Sequence, residues 1–140
     1  MLHLLLYNME YRNVFLLRQK FLVKKLLGLF CFPLSSLYIE TPDSKIMEGL
    51  LIVHGFSTII NAEKIGNNCT IYQQCTIGYG NGGKPIIGNN VTIYSGVIII
   101  GNVKIGDNCI IAAGTVINKD VMQNTLCVGK GFRTLELKQV

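Results

Sequence analysis

Tryptophan is absent from this chain of 140 residues, proline occurs three times, histidine twice, and only 15% of the residues are charged. This low charge, with 49% hydrophobic residues and a mean hydropathy of +0.39, excludes a disordered chain and predicts a sizeable buried core. The length is that of one domain, which excludes a multidomain enzyme with a separate cofactor domain. Glycine, in contrast, is abundant at 15 residues, which indicates many tight turns.

Long hydrophobic runs are also missing. Residues 26–39 form an uncharged stretch of fourteen positions that Pro33 and two serines interrupt, whereas a transmembrane helix needs about 20 apolar residues. We therefore expect no transmembrane segment. The first residues lack the basic region and the small-residue cleavage site of a secretory signal, so we expect them to belong to the mature protein.

The cysteines are odd in number and show no CxxC spacing. This pattern favours neither a disulfide framework nor a zinc site, and it fits a reducing, cytoplasmic location. The five are Cys31, Cys69, Cys75, Cys109 and Cys127.

Charge is unevenly distributed along the chain. Residues 1–36 contain five basic residues against Glu10 alone, a net charge of +4, while eight basic and seven acidic residues in the remainder give +1. The basic residues beyond position 36 are single and scattered, so we expect no nucleic-acid partner. A small anionic ligand such as a nucleotide cofactor is compatible with this distribution.

A hexapeptide repeat dominates the sequence. The segments IGNNCT at 65–70, IGNNVT at 87–92 and IGDNCI at 105–110 are nearly identical. Every sixth residue within each block is isoleucine, and a small or β-branched residue follows four positions later, with Asn81 as the one exception. The isoleucines are Ile65, Ile71, Ile77, Ile87, Ile93, Ile99, Ile105, Ile111 and Ile117, and the following residues are Cys69, Cys75, Val91, Val97, Val103, Cys109, Thr115 and Val121.

A period of six predicts an all-β solenoid: a parallel β-helix whose coils each have three short strands, with one branched side chain per side pointing inward. The Gly-Asn-Asn and Gly-Asp-Asn triplets supply residues that tolerate the backbone of corners. Ile46 and Ile52 extend the pattern backward, with one extra residue expected between positions 58 and 64. We count about four coils between residues 46 and 122 and assign the β-helix to residues 37–122.

Three segments depart from the repeat. Residues 78–86 contain about four extra residues and predict a loop that protrudes from one corner. Residues 1–36 form a short helical N-terminal segment, because leucines recur at helical spacing up to about residue 32 and Pro33 ends the pattern. We interpret it as a cap on the first coil or on a neighbouring subunit, the alternative being a basic helix on a membrane surface. Residues 123–140 are assigned to a C-terminal tail or cap.

The segment GLLIVHGFSTIINAEKIGNNCTIYQQCTIGYGN and the repeats that follow it resemble the serine O-acetyltransferase branch of the hexapeptide-repeat acyltransferases, over about residues 45–122. The resemblance implies a left-handed β-helix, a homotrimer with active sites between neighbouring subunits, and acetyl-CoA as the acetyl donor. It also implies that His54 is the base that removes a proton from the acceptor hydroxyl.

The resemblance extends to the coenzyme positions. Gly78 resembles the family's glycine after the strand that precedes the loop, and Ser95 and Ala113 fall where small residues let the pantetheine arm pass along the coils. Arg133, in the segment VGKGFR, matches a basic residue near the coenzyme phosphates, although the family's proline and alanine are replaced by glycine and phenylalanine. Each small residue has the alternative of being an ordinary corner residue of a β-helix.

The acceptor site departs from the family pattern. The carboxylate that orients the family's histidine is replaced at or near Tyr38, and Glu40 is the nearest carboxylate that substitutes for it. The loop lacks the family's arginine and second histidine and has Lys84, which fits a substrate carboxylate as a point charge. The acceptor is therefore serine or, alternatively, a sugar or capsular polysaccharide. A non-catalytic trimeric scaffold is the alternative of another class.

No metal site is expected. Metal-dependent relatives of this fold resemble γ-class carbonic anhydrases and use three histidines per site, whereas this chain has only His3 and His54. His54 also has the alternative of a solvated corner residue.

Overall fold

The computed structural model describes residues 9–27, 32, 34–129 and 133–136, with Met9, Glu10, Phe21, Lys24 and residues 133–136 described by their backbone alone. The chain forms a parallel β-solenoid of about five coils, which confirms the predicted fold class. The coils contribute short strands to three sheets. The strands are β1 Leu37–Ile39, β2 Leu51–Ile52, β3 Thr58–Ile60, β4 Lys64–Ile65, β5 Thr70–Ile71, β6 Thr76–Gly78, β7 Ile86–Ile87, β8 Thr92–Ile93, β9 Ile98–Ile100, β10 Lys104–Ile105, β11 Ile110–Ile111, β12 Val116–Ile117, β13 Thr125–Val128 and β14 Arg133–Glu136.

The strands stack in the order of the coils. Sheet 1 has the order β1-β3-β6-β9-β12, sheet 2 has β4-β7-β10, and sheet 3 has β2-β5-β8-β11-β13-β14. Ile46 and Val121 extend sheet 2 at its two ends by single bridges. All pairs are parallel except β13 with β14, which is antiparallel. Parallel pairing therefore continues beyond residue 122, and β14 covers the last parallel strand.

The interior is built mainly from the repeated isoleucines and the residues four positions later, and Leu37, Ile60, Ala62 and Cys127 extend it. All nine isoleucines of the repeat are 0–2% exposed, and the eight small or β-branched residues are 0–4% exposed. Like residues align on like residues between coils, for example Ile71 with Ile93 and Ile93 with Ile111. Such stacking gives each β-branched side chain a pleated, buried surface to pack on. Val121 lies in the isoleucine row, bridged to Ile105, rather than in the row of small residues.

One corner, between sheets 2 and 3, is built from the Gly-Asn-Asn and Gly-Asp-Asn triplets; we call it the asparagine corner. The backbone N–H of Asn67 donates to Oδ1 of Asn89 at 2.9 Å, and the N–H of Asn89 donates to Oδ1 of Asp107 at 2.7 Å. A Cβ at Gly66 would overlap the backbone carbonyl of Gly88 in the next coil. Glycine is thus required here because the coils approach closely.

The N-terminal segment contains two helices, α1 Met9–Leu17 and α2 Phe21–Leu27, and a 3₁₀ turn, Asp43–Lys45, follows β1. The prediction of one continuous helical pattern to about residue 32 was wrong at Arg18, where the chain turns. There Nη2 of Arg18 donates to the carbonyl of Met47 at 2.7 Å, and Nε lies 3.5 Å from Asp43. This tertiary anchoring ends α1 without any proline or glycine.

Helix α1 caps the first coil, as the sequence predicted. It packs on β1 and β2, and its Leu16 is buried. The amide of Asn13 binds the connection to the first strand: its Oδ1 accepts from the N–H of Leu34 at 2.7 Å, and its Nδ2 donates to the carbonyls of Leu34 and Leu37. The described helices include none that is both long and apolar enough to cross a membrane.

Candidate functional site

His54 lies at the corner where the chain leaves sheet 3 and enters sheet 1, which we call the histidine corner. It precedes β3 and has a left-handed backbone, with φ of 51°. Its carbonyl accepts from the N–H of Phe56 at 2.6 Å, a tight turn that leaves the imidazole exposed. Seven other described non-glycine residues share this conformation, most of them at corners of the solenoid, so the backbone at His54 is a feature of the fold.

The histidine corner of the first coil is longer than those of later coils. The buried Ile60 follows the buried Ile52 by eight positions, and Ile65 follows Ile60 by only five, against six in the regular repeat. The single extra residue predicted between 58 and 64 was therefore misplaced. The structure instead has two extra residues before Ile60 and one fewer after it. The two inserted residues are His54 and Gly55, so this corner projects from the solenoid at the histidine.

Ser95 and Ala113 occupy the same corner two and three coils further along. At about 4.8 Å per coil they lie roughly 10 and 14 Å along the axis from the histidine. Gly96 donates to the carbonyl of Gln73, and Gly114 to that of Ser95. A Cβ at Gly96 would meet nothing closer than 3.8 Å, and one at Gly114 nothing within 4 Å. The corner therefore has open space beside Ser95 and Ala113, at the two glycines that follow them.

Gly78 ends β6 at the opposite edge of sheet 1, where the chain turns toward sheet 2; we call this the loop corner. The segment after it forms a tight hairpin, since Gly80 and Gly83 exchange hydrogen bonds of 3.0 and 3.1 Å. Asn81 and Gly82 have φ of 42° and 83°, as a two-residue turn of this kind requires. This hairpin is the protruding loop that the extra residues predicted.

Lys84 and Glu40 also lie at the loop corner. Lys84 follows the hairpin and is half-buried. Glu40 follows β1, and its Oε2 accepts from Nδ2 of Asn61 at 2.6 Å. Because β1 and β3 are parallel, Glu40 lies at the far end of sheet 1 from His54, about 10 Å away by strand length.

The sequence-derived site residues thus form two groups within one chain. His54, Ser95 and Ala113 share the histidine corner, whereas Gly78, Lys84 and Glu40 share the loop corner, so the structure does not bring Glu40 beside His54. For Arg133 the structure describes only the backbone, in β14, and both the side chain and the whole of His3 lie outside the described residues.

A cavity of about 440 Å³ adjoins the histidine corner on the outer face of sheet 1. It is lined by Ser35, Ser36, Tyr38, Ser57 and Ile59. Ser57 ends the corner, and Tyr38 is the residue found where a carboxylate was expected. None of these lining residues is charged, so the cavity offers hydroxyl groups and an apolar wall to a ligand.

The sequence reasoning missed two features of the histidine corner. The rings of Tyr72 and Tyr94 stack with centroids 5.0 Å apart, and Oε1 of Gln73 is buried without a hydrogen-bond partner. All three residues lie one or two positions after an inward isoleucine. This spacing could have identified them from the sequence, because residues at the same distance from an inward isoleucine lie at the same corner of successive coils.

The described cysteines do not form a reactive site. Cys69, Cys75, Cys109 and Cys127 are free and fully buried, and burial raises the pKa of each thiol, that of Cys127 to about 11. Nucleophilic thiols need a lowered pKa and exposure. Among the described residues, no group of three histidine, cysteine or carboxylate side chains could hold a metal ion.

Comparison with known proteins identifies relatives of this solenoid. The family described as "Bacterial transferase hexapeptide (six repeats)" matches residues 84–119. A serine acetyltransferase of Synechococcus elongatus is 38% identical over 94 residues, which cover 63% of this chain and 38% of the relative. That of Staphylococcus epidermidis is 44% identical over 94 residues, covering 63% and 44%. The chain thus spans about two fifths of the length of these relatives.

Solved structures give the same result. The serine acetyltransferase of Neisseria gonorrhoeae, in complex with serine, superposes with a TM-score of 0.60 at 29% identity, covering 69% of this chain and 42% of the other. The Brucella abortus enzyme, in complex with coenzyme A, gives 0.56 at 26% identity, covering 69% and 42%.

Proposed function

We propose that this chain, a hexapeptide-repeat β-helix similar to serine acetyltransferases, transfers an acetyl group from acetyl-CoA directly to a hydroxyl, with serine as the acceptor and His54 as the general base. The observation that carries the proposal is the placement of His54. His54 lies on an inserted turn of one corner, and Ser95 and Ala113 lie at the same corner two and three coils further along. A base and a path for a thin acyl donor therefore share one corner.

The reaction at this corner is direct transfer. The imidazole of His54 takes the proton of the acceptor hydroxyl, and the oxygen attacks the thioester carbonyl of the donor. The carbon–sulfur bond then breaks, and the departing sulfur takes the proton from the imidazolium. The products are an acetyl ester and free coenzyme A. A positioned base of this kind contributes about 10²- to 10⁴-fold in rate.

The residues of the histidine corner fit a coenzyme A arm. Ser95 is half-buried and Ala113 is exposed, and both side chains are small. Gly96 and Gly114, which follow them, add no side chain to the corner. The stacked rings of Tyr72 and Tyr94, which directly precede Gln73 and Ser95 in the chain, add an aromatic surface at this corner. Arg133 is proposed to pair with the coenzyme phosphates.

The test is acetyl-CoA consumption with serine, followed as free coenzyme A with a thiol reagent and a protein-only blank. We expect His54→Ala to lower turnover by about 10²- to 10⁴-fold while coenzyme A binding is retained. Lys104→Ala, which changes an exposed residue of sheet 2, is the matched control and should leave the rate unchanged. Full activity of His54→Ala would overturn the role of His54 as the base. No transfer by the wild type would overturn the proposal as a whole and favour a non-catalytic scaffold.

We further propose that the chain forms a homotrimer whose sites lie between subunits. The separation of His54 and Lys84 at opposite edges of sheet 1 supports this arrangement, because neighbouring copies in a ring can bring one edge of each together. Lys84 of one subunit would then face the histidine corner of the next and pair with the serine carboxylate.

Mixed trimers test this arrangement. His54→Ala and Lys84→Ala subunits are unfolded together, refolded as a mixture and assayed with serine. If each site takes its histidine and its lysine from different subunits, about a quarter of the sites are intact and the mixture regains about a quarter of the wild-type activity. A mixture as inactive as its components would place both residues in one subunit's site.

A sugar hydroxyl is the second candidate acceptor, favoured by the cavity beside the histidine corner. Three serine hydroxyls and the phenol of Tyr38 line it without any charge, which suits a neutral polyol better than a zwitterion. Serine and several sugars are therefore compared in one panel. Transfer to a sugar alone, dependent on His54, would assign the acceptor to that class.

A further inference from the structure

Helix α2 carries large apolar side chains that the described structure leaves in solvent. Leu22, Val23 and Leu26 are 78%, 43% and 63% exposed; we call these three residues the α2 patch. Leu22 and Leu26 are four positions apart and lie on the same face of the helix. Phe32, beyond the helix, is also 68% exposed. Apolar side chains clustered in this way mark an interaction surface.

The α2 patch lies in the one strongly basic part of the chain. Residues 11–39 contain five basic and no acidic residues, and the rest contains eight of each, so the whole net charge of +5 belongs to this segment. Arg18 is paired with Asp43. Lys20 and Lys25 flank the patch and are exposed, and within the described ranges no ion pair involves either of them.

We propose that α2 docks on the surface of an anionic phospholipid bilayer. Leu22 and Leu26 would enter the boundary between headgroups and acyl chains, and Lys20 and Lys25 would lie among the headgroup phosphates. Interfacial helices bind by this combination of apolar burial and attraction to anionic lipid. At about 10 Å, the seven-residue helix is far shorter than a bilayer, so it lies on the surface.

The charge distribution disfavours docking of one α2 patch on the same patch of a second copy. Docking two α2 patches on each other would bring the same lysines together. Outside residues 11–39 the sequence has no net charge with which to oppose them. An anionic bilayer supplies the missing negative charge and an apolar layer at the same place.

Co-sedimentation of the full chain with lipid vesicles tests the proposal. Vesicles of phosphatidylcholine alone are compared with vesicles that also contain phosphatidylglycerol, and light scattering of each variant reports its oligomeric state. We expect binding to the anionic vesicles alone, weakened by added salt. The double variant Leu22→Ser/Leu26→Ser should lower the partition coefficient more than about tenfold. Lys20→Gln/Lys25→Gln should lower it about 25-fold, near fivefold for each lysine.

The matched control is Lys64→Gln/Lys104→Gln, which removes the same charge from exposed positions of sheet 2 and should bind as the wild type does. Failure of the wild type to bind anionic vesicles would overturn the proposal, as would equal binding by the serine variant. A change of oligomeric state in the serine variant would assign the α2 patch to contacts between copies. Binding to phosphatidylcholine that is as strong as to anionic vesicles would contradict the role of the lysines.

Discussion

Replacing Ile93 by alanine removes side-chain volume from the centre of the solenoid. Ile93 is fully buried and lies between Ile71 and Ile111 of the neighbouring coils. The three lost carbon atoms account for about 2.4 kcal/mol of transfer free energy, at about 0.8 kcal/mol each. Because the coils are held by ladder hydrogen bonds on either side, the gap closes poorly. A residual cavity of up to about 80 Å³ adds up to about 2 kcal/mol.

The expected loss of unfolding free energy is therefore about 2.5 to 4.5 kcal/mol, and Ile93→Val should lose about 1 kcal/mol. Urea denaturation followed by circular dichroism measures both, at one fixed protein concentration because assembly also stabilises the fold. Thr92→Ala is the matched control: it changes the preceding, outward-facing residue of β8 and should cost about 0.5 kcal/mol or less. Equal losses for Ile93→Ala and Thr92→Ala would refute the packing argument.

Three further predictions follow from single positions. Gly66→Ala should prevent the close approach of the coils and lower the melting temperature sharply, whereas Gly78→Ala, whose Cβ meets nothing within 4 Å, should melt as the wild type does. The N–H and side chain of Asn89 lower the pKa of Asp107 from 3.8, so this stabilisation is present above pH 3.8 and lost as the pH falls below it; Asp107→Asn should show a flatter acid limb in denaturation measured against pH. Burial raises the pKa of the Cys127 thiol from 9.0 to about 11, so its contribution to stability is complete below pH 9.0 and lost as the pH rises through 11. Cys127→Ala should therefore lose less unfolding free energy than the wild type over this pH range.

The interior of the solenoid was predictable from the sequence because its rule is local. An inward side chain recurs every six residues, so Ile71, Ile93 and their equivalents can be assigned without knowing which strands pair. The hairpin at Asn81 and Gly82 was predictable for a similar reason, since extra residues that break the repeat must leave the coil. The pairing of each strand with the next coil then follows from the period itself.

The candidate site was only partly predictable. The resemblance indicated His54, and its role as a base stays a prediction. The sequence showed that the repeat shifts by one residue near position 60. It did not show that this shift is the sum of two residues inserted at His54 and one residue lost after Ile60. Ladder hydrogen bonds between coils decide that division, and they join residues about 20 positions apart.

By itself, the sequence determined the six-residue period, the core residues of the regular repeats and the position of the loop, because each depends on neighbours along the chain. Tertiary structure decided that α1 ends at Leu17, where Arg18 reaches Met47 and Asp43. It also placed Glu40 and Lys84 at one edge of sheet 1 and His54 at the other. The physical reason is that a corner's place in the coil follows from hydrogen bonds to the coils above and below, which no local pattern encodes.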